Sequence, residues 1–87
     1  MAKSKKKEKK AGSGDNFFVV GLVGSDPEQY LVDYNAQTHT PTFGTNFDDA
    51  FWSYKENKVT TFISQNQIQN AESRPKNGEH PANRPPL

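Results

Sequence analysis

The sequence predicts an α+β fold, in which a small antiparallel sheet packs against one or two short helices. Nearly all the apolar side chains fall between Phe17 and Ile68, in a chain of 87 residues that is only 31% apolar. Within that region "FFVVGLVG" has the β-branched and aromatic composition of a strand, and "YLVDY" alternates as a strand does. A later stretch has the i, i+3, i+4, i+7 spacing of one helical face, at Phe47, Ala50, Phe51 and Tyr54.

The apolar residues divide the chain into three regions. Residues 1–16 are lysine-rich and hold no aromatic or branched apolar residue, which is typical of a disordered arm. Residues 17–70 hold the apolar side chains and form a small globular domain. Residues 71–87 contain four prolines and a single large apolar residue, Leu87, so we expect a disordered Pro-rich tail. Its "RPPL" end fits either plain disorder or a ligand for a proline-recognising domain.

A β-hairpin is the first element of the predicted domain. It joins residues 17–23 to residues 29–34 through "GSDPEQ", in which Asp-Pro favours a turn. Alternation on the second strand puts Leu31 and Asp33 on one face and places on the other Tyr30, Val32 and Tyr34. Residues 42–44 then form a short third strand or a loop.

The aromatic segment "TFGTNFDDAFWSY" follows, and we predict at least one helical turn from Asn46 to about Ala50. Thr45 or Asn46 caps this turn. Asp48 and Asp49 lie in its first turn, where the helix dipole favours carboxylates. Neighbouring residues on a helix point about 100° apart, so these two carboxylates do not form a catalytic pair.

Residues 51–66 have two interpretations. We favour a short strand at 51–54 followed by a helix from about 55 to 66. Ser53 would cap this helix, with Glu56 three residues on, and its buried stripe would be Val59, Phe62 and Ile63. In the alternative, the β-branched "VTTFI" pairs back on 51–54 as a β-hairpin.

Charge is segregated along the chain. Residues 1–10 carry six lysines and one glutamate, a net charge of +5, whereas residues 15–70 carry −5 and the whole chain +1. A folded nucleic-acid reader normally has a basic patch on the domain itself. Attraction to phosphate, weak and salt-sensitive, would therefore come only from the arm, through Lys3, Lys5, Lys6, Lys7, Lys9 and Lys10.

Several classes of function are disfavoured. The chain has no cysteine, which excludes disulfides and thiolate metal sites. Its two histidines, His39 and His80, stand far apart, so we predict no metal and no cofactor. No nucleophile, metalloprotease or phosphate-loop motif is present, and we predict no enzyme. The apolar run Phe17–Val23 is too short for a membrane span and lacks signal-peptide features, so we expect a soluble cytoplasmic protein.

The stretch from Tyr30 to Ile63 resembles short uncharacterised proteins of Gram-positive bacteriophages and prophages. Those proteins pair a "YxVxY" strand and a turn with a "T-[ND]-[FL]-x-[DE]-A" helix start. The match is carried by Tyr30–Tyr34, and then by Thr45, Asn46, Phe47, Asp49 and Ala50. It covers less than half of the chain. The resemblance implies a small α+β fold and an accessory role in interaction with the host.

We therefore predict a non-enzymatic protein-binding module that acts on an unidentified protein, for which the resemblance suggests a host component. Trp52 is the candidate hot spot, because exposed tryptophan is enriched at such sites; alternatively it closes one end of the core. The other candidate contact residues are Tyr30, Tyr34, Asp48 and Asp49.

Two further functions stay open. The chain could be a nucleic-acid accessory protein that binds through the lysine arm and stacks bases on Tyr30, Tyr34 or Trp52. It could also imitate nucleic acid with its carboxylates, at Asp26, Glu28, Asp33, Asp48 and Asp49.

Overall fold

The computed structural model describes residues 15–87. Their elements are, in chain order, β1 (Asp15–Leu22), β2 (Tyr30–Asn35), β3 (Thr40–Gly44), a 3-10 helix (Phe47–Asp49), β4 (Trp52–Ser53), α1 (Glu56–Gln65) and β5 (Ala71–Gly78). The predicted lysine-rich arm lies outside the described residues except for Asp15 and Asn16, which are the first residues of β1 and not part of an arm.

The fold is α+β, as predicted, with a five-stranded antiparallel sheet packed with one helix. β1 is its central strand. Along one edge β1 pairs with β5 over all eight residues. On the other edge it pairs with β4 at Phe18 and Val19 and with β2 at Gly21, and β3 continues the sheet beyond β2. The sheet therefore depends on one apolar strand near the beginning of the described chain.

The predicted hairpin of β1 and β2 is present, but its pairing is confined to one end. Gly21 faces Tyr30, and the Leu22 N–H donates to the Gln29 carbonyl oxygen at 2.9 Å. Beyond that point Phe51 lies between the strands. Its N–H donates to the Leu31 oxygen at 2.9 Å, and its oxygen accepts the Val20 N–H at 3.0 Å.

Each face of the sheet carries an apolar cluster, because successive residues of β1 point to opposite faces. Phe17 and Val19 belong to the first cluster, with Ala50 and Trp52. The second cluster lies under α1 and is formed by Val20, Leu31, Val59 and Ile68. From Phe17 onward both faces of β1 are covered, and this part of the strand is apolar, which explains why its sequence does not alternate.

A β-bulge in β2 corrects the predicted faces of that strand. Leu31 pairs with Phe43 and Asp33 with Thr42, so Val32 is an extra residue on the β2 side. Such a residue interrupts the alternation. As a result Tyr30 packs on the first cluster and Tyr34 on the second, and the two tyrosines do not share a face.

The favoured interpretation of residues 46–66 is confirmed. Asn46 caps a 3-10 turn, a two-residue strand follows, and α1 begins at Glu56. The cap of α1 differs from the prediction, since Lys55 is the N-cap residue and the Ser53 hydroxyl accepts the Lys55 N–H at 3.2 Å. The buried stripe of α1 is the predicted one, with Val59, Phe62 and Ile63 all in the second cluster.

The prediction of a disordered tail at residues 71–87 is wrong. β5 is paired along its whole length with β1, and Pro81 beyond it is fully buried. β5 looks polar because it lies at the sheet edge, where charged residues and Pro75 are tolerated. Its Arg74 side chain lies across Gly21, where a Cβ would come within 2.7 Å of the arginine Cγ. The polar composition of residues 71–78 therefore did not indicate a strand.

Candidate functional site

Trp52 is part of the core, as the alternative interpretation of the sequence predicted, and is not an exposed hot spot. It lies in β4 opposite Val19 and is only 1% exposed. The reason is the chain beyond β5. The Trp52 indole Nε1–H donates to the Arg84 carbonyl oxygen at 2.8 Å, and the Trp52 carbonyl oxygen accepts the Leu87 N–H at 2.8 Å.

Aromatic rings surround the Trp52 indole on its other sides. The His80 ring stacks on it with centroids 4.2 Å apart and an interplanar angle of 7°. Phe17 and Tyr54 meet it edge-on, at 6.0 and 4.8 Å. Tyr54 itself is 47% exposed, so it marks the place where this aromatic cluster reaches solvent.

Asp48 and Asp49 lie in the first turn of the 3-10 helix, as predicted. The Asn46 side chain accepts the Asp48 N–H at 3.2 Å and donates to Asp49 Oδ2 at 2.9 Å. The aspartates also contact the chain beyond β5. The Asp48 carbonyl oxygen accepts the Asn83 N–H at 2.9 Å, and Asp49 Oδ1 accepts the Asn83 side-chain amide at 2.7 Å.

Arg84 makes the most varied contacts of any residue beyond β5. Its Nε donates to the Asp49 carbonyl oxygen at 2.6 Å, and its Nη2 donates to the carbonyl oxygen of Val32. Its guanidinium carbon lies 4.0 Å from the centroid of the Phe51 ring. A planar fork that donates in several directions while it stacks on a ring is specific to arginine.

We call residues 80–87 the C-terminal segment, and we call the residues it lies on the Trp52 surface, which consists of Val32, Asp48, Asp49, Phe51 and Trp52. Three of the five predicted protein-binding residues belong to this surface. Each of the three bonds to the chain's own C-terminal segment. The predicted contact residues are thus brought together, and they hold a peptide segment from the same chain.

The far end of the C-terminal segment reaches α1. Leu87 packs against the second cluster and borders an open groove of about 460 Å³. The groove runs along one side of the helix, and its other lining residues are Asn57, Lys58, Thr61, Phe62 and Gln65. Its floor is apolar at Phe62 and its rim is polar.

Tyr30, the fourth predicted contact residue, belongs to a separate charged cluster. Its hydroxyl donates to Glu28 Oε1 at 2.9 Å, and its ring packs on Phe47. Glu28 also accepts from Arg74 Nη1 at 2.8 Å and from Lys76 Nζ at 2.5 Å. Two strands are therefore tied to the β1–β2 turn by one carboxylate.

The contacts within this cluster shift the pKa values of Glu28 and Tyr30. The hydrogen bond from Lys76 is the main cause that lowers the pKa of Glu28, with further bonds from Tyr30 and Arg74, and burial opposes them in part. Burial and the hydrogen bond to Glu28 raise the pKa of Tyr30. Tyr30 is therefore a donor to an ionised carboxylate, not a free aromatic surface.

Tyr34, the fifth candidate, lies on the opposite side of the sheet. Its hydroxyl is 3.0 Å from His39 Nδ1 and donates to the Asn66 carbonyl oxygen at 3.3 Å. Its ring meets Phe62 edge-on at 6.0 Å. Tyr34 thus ties the β2–β3 turn to the end of α1 and does not join the Trp52 surface.

The sequence reasoning missed the residues that occupy the Trp52 surface, which are His80, Pro81, Asn83 and Arg84. One signal could have found them. In a small acidic domain, a tryptophan needs residues that cover its ring, and two adjacent aspartates need hydrogen-bond donors. The tail is rich in proline, arginine and asparagine, which are residues of that kind. They lie 28 to 52 positions from the residues they contact, beyond the reach of any local pattern.

Within residues 15–87, no group of three or more His, Cys, Asp or Glu side chains is placed to hold a metal ion. Over the same residues, α1 is too short and too polar to cross a membrane. Comparison with known proteins found no match for the chain among protein-family models, curated proteins or solved structures.

Proposed function

We propose that the protein is a small non-enzymatic protein-binding module and that the Trp52 surface is its binding site. One observation carries this proposal: the surface already holds a peptide segment, through side-chain stacking, backbone hydrogen bonds and an arginine clamp. A partner protein would present a segment of similar chemistry in its place.

The contacts at this surface are those of a typical peptide site. Trp52 offers a flat ring and a donor, Asp49 offers a carboxylate and a carbonyl oxygen, and Phe51 offers a ring face for a cation. Buried aromatic anchors with a polar rim are the usual basis of protein recognition. The resemblance to short phage proteins supports a host protein as the partner.

The experiment is photo-crosslinking at the exposed edge of the surface. Tyr54 is replaced by a benzophenone amino acid, and the chain is irradiated in an extract of Gram-positive bacteria. We expect a discrete crosslinked protein that disappears with Asp49→Ala and persists with the control Asp33→Ala. Asp33 is an exposed aspartate whose carboxylate accepts the Tyr34 N–H and not a donor of the C-terminal segment. Crosslinking that is equal for both variants, or absent from the wild-type chain, contradicts the proposal.

The charge distribution favours a second candidate function, weak binding of nucleic acid by the lysine arm. Residues 15–87 carry nine acidic and five basic side chains, a net charge of −4. Attraction to phosphate would therefore come from Lys3, Lys5, Lys6, Lys7, Lys9 and Lys10. Trp52 is buried and cannot stack on bases, so this binding would lack an aromatic contribution from it.

A gel-shift titration at low salt tests this second function. We expect binding that is lost when residues 2–10 are deleted and that weakens steeply with added salt, as counterion release requires. Binding that survives the deletion would refute a role for the arm.

A further inference from the structure

Burial along the C-terminal segment recurs at every third residue, although His80, Ala82 and Asn83 also contact the domain. Pro81 is fully buried, and Arg84 and Leu87 are half-buried, whereas the intervening residues are exposed, namely Ala82, Asn83, Pro85 and Pro86. A repeat of three is the period of a polyproline II helix. Domains that bind proline-rich segments commonly take every third side chain into their grooves. Here a turn at residues 82–84 interrupts the extended course, but the spacing of the anchors is kept.

Each anchor meets a group of matching chemistry. Pro81 is fully buried and follows directly after His80, whose ring stacks on Trp52. The Arg84 guanidinium donates to two carbonyl oxygens and lies on the Phe51 ring. Leu87 packs into the apolar end of the groove along α1. Proline, arginine and leucine are therefore each read by a different part of the domain.

None of these contacts requires that the segment belong to the same chain. The hydrogen-bonded pairs lie 32 to 52 residues apart in sequence. Gly78 and the exposed Glu79 form the connection from β5, and Gly78 has φ of +120° with open space around it. The same surface is therefore available to any segment with the same three anchors.

Resting on the protein-binding function proposed above, we propose that the Trp52 surface recognises proline-rich segments of a partner protein with the spacing Pro-x-x-Arg-x-x-Leu. The chain's own residues 81–87 occupy the site in cis and compete with the partner. A tethered competitor acts at an effective concentration of about a millimolar. A partner therefore binds the wild-type chain more weakly than it binds a chain whose site is empty. Its affinity is reduced in proportion to the fraction of chains in which residues 81–87 have left the site.

A peptide titration tests this proposal, and the chain provides its own probe. The sequence contains one tryptophan, so its fluorescence and its indole N–H signal report on this surface alone. A capped peptide with the sequence of residues 80–87 is added to the full chain carrying Arg84→Ala, in which the cis segment is weakened. The matched control peptide has alanine in place of its arginine.

We expect saturable binding of the unchanged peptide by the Arg84→Ala chain. The affinity should be at least tenfold higher than that of the same chain for the control peptide. It should also be at least tenfold higher than that of the wild-type chain for the unchanged peptide. If Arg84→Ala fails to fold, Asn83→Ala loosens the segment more mildly, since it removes only one side-chain bond to Asp49. The absence of a saturable change in a folded variant, or equal binding of the two peptides, overturns the proposal.

The outcomes also separate this proposal from the function on which it rests. Asp49-dependent crosslinking of a protein without peptide binding would refute the proline-rich class and leave the binding function standing. A loss of both would refute both. A wild-type chain that dimerises on concentration and returns to monomer when the peptide is added would refute a partner protein as occupant and assign the site to a second copy.

Discussion

The indole N–H of Trp52 donates to the carbonyl oxygen of Arg84 at 2.8 Å, across 32 positions of sequence. This bond joins a buried aromatic ring of the sheet to a segment rich in proline. It removes Trp52 from solvent and fixes the C-terminal segment on the domain. Trp52 thus belongs both to the core and to the candidate binding site.

Trp52→Phe tests the contribution of this bond to stability. Phenylalanine keeps an aromatic ring for the His80 stack but leaves the Arg84 carbonyl oxygen without its donor. An unsatisfied buried group costs about 1–3 kcal/mol, so we expect a loss of that order in the free energy of unfolding. Urea denaturation followed by circular dichroism measures it. Tyr54→Phe at the exposed neighbour is the control, with a change below about 0.5 kcal/mol.

Arg84→Lys should loosen the C-terminal segment without removing its charge. Lysine cannot donate in two directions and stack on Phe51 at once. We therefore expect acrylamide to quench Trp52 fluorescence more strongly in this variant than in the wild-type chain. Lys55→Arg, at an exposed position outside the groove that Leu87 borders, should leave the quenching unchanged. Equal quenching in all three chains would show that Arg84 does not hold the segment in place.

Gly21 and Arg74 should be energetically coupled. A methyl group at Gly21 would lie 2.7 Å from Arg74 Cγ, so Gly21→Ala forces the arginine away from Glu28, Glu72 and the Leu22 oxygen. We expect a loss of about 1–3 kcal/mol, the usual size of a disrupted ion-pair and hydrogen-bond network. In an Arg74→Ala background, the same substitution should cost clearly less. Additive losses in the double variant would contradict the contact.

Glu28 should make stability depend on pH. Its pKa in the folded chain lies below the ordinary value of 4.5, chiefly because Lys76 bonds to the ionised carboxylate. A carboxyl with a depressed pKa stabilises the fold above its unfolded pKa and loses that effect as the pH falls through the folded value. Wild-type chain should therefore be more stable than Glu28→Gln at pH 7.

The difference in unfolding free energy between the wild-type and Glu28→Gln chains should shrink as the pH drops below 4.5. Denaturation of both chains at pH 7 and pH 3 measures it. Glu72→Gln is the control, because Glu72 is the more exposed partner of Arg74 and bonds to none of the lysines among residues 15–87. If the difference in unfolding free energy were the same at pH 7 and pH 3, these contacts would not be lowering the pKa of Glu28.

Local patterns were enough to predict part of the fold. The β1–β2 hairpin, the capped turn at Asn46 and the buried stripe of α1 follow from side-chain periods and capping residues. These features involve neighbours in sequence, where spacing reports directly on the buried face.

What escaped prediction depends on distant contacts. β5 is polar because it is an edge strand, and its half-buried Arg74 lies where the missing side chain of Gly21 leaves space. Trp52 appeared to be an exposed hot spot because its cover comes from residues 80–87. Composition described those residues correctly as proline-rich, but it did not show that the domain itself binds them.

The central claim is that the C-terminal segment is bound on Trp52 in solution. It is tested most directly by nuclear Overhauser contacts and hydrogen exchange at the single tryptophan of the full chain. We predict contacts from the Trp52 indole to His80 and Arg84, together with slow exchange of its Nε1–H. Rapid exchange of that proton, with sharp and undispersed signals for residues 80–87, would contradict the claim.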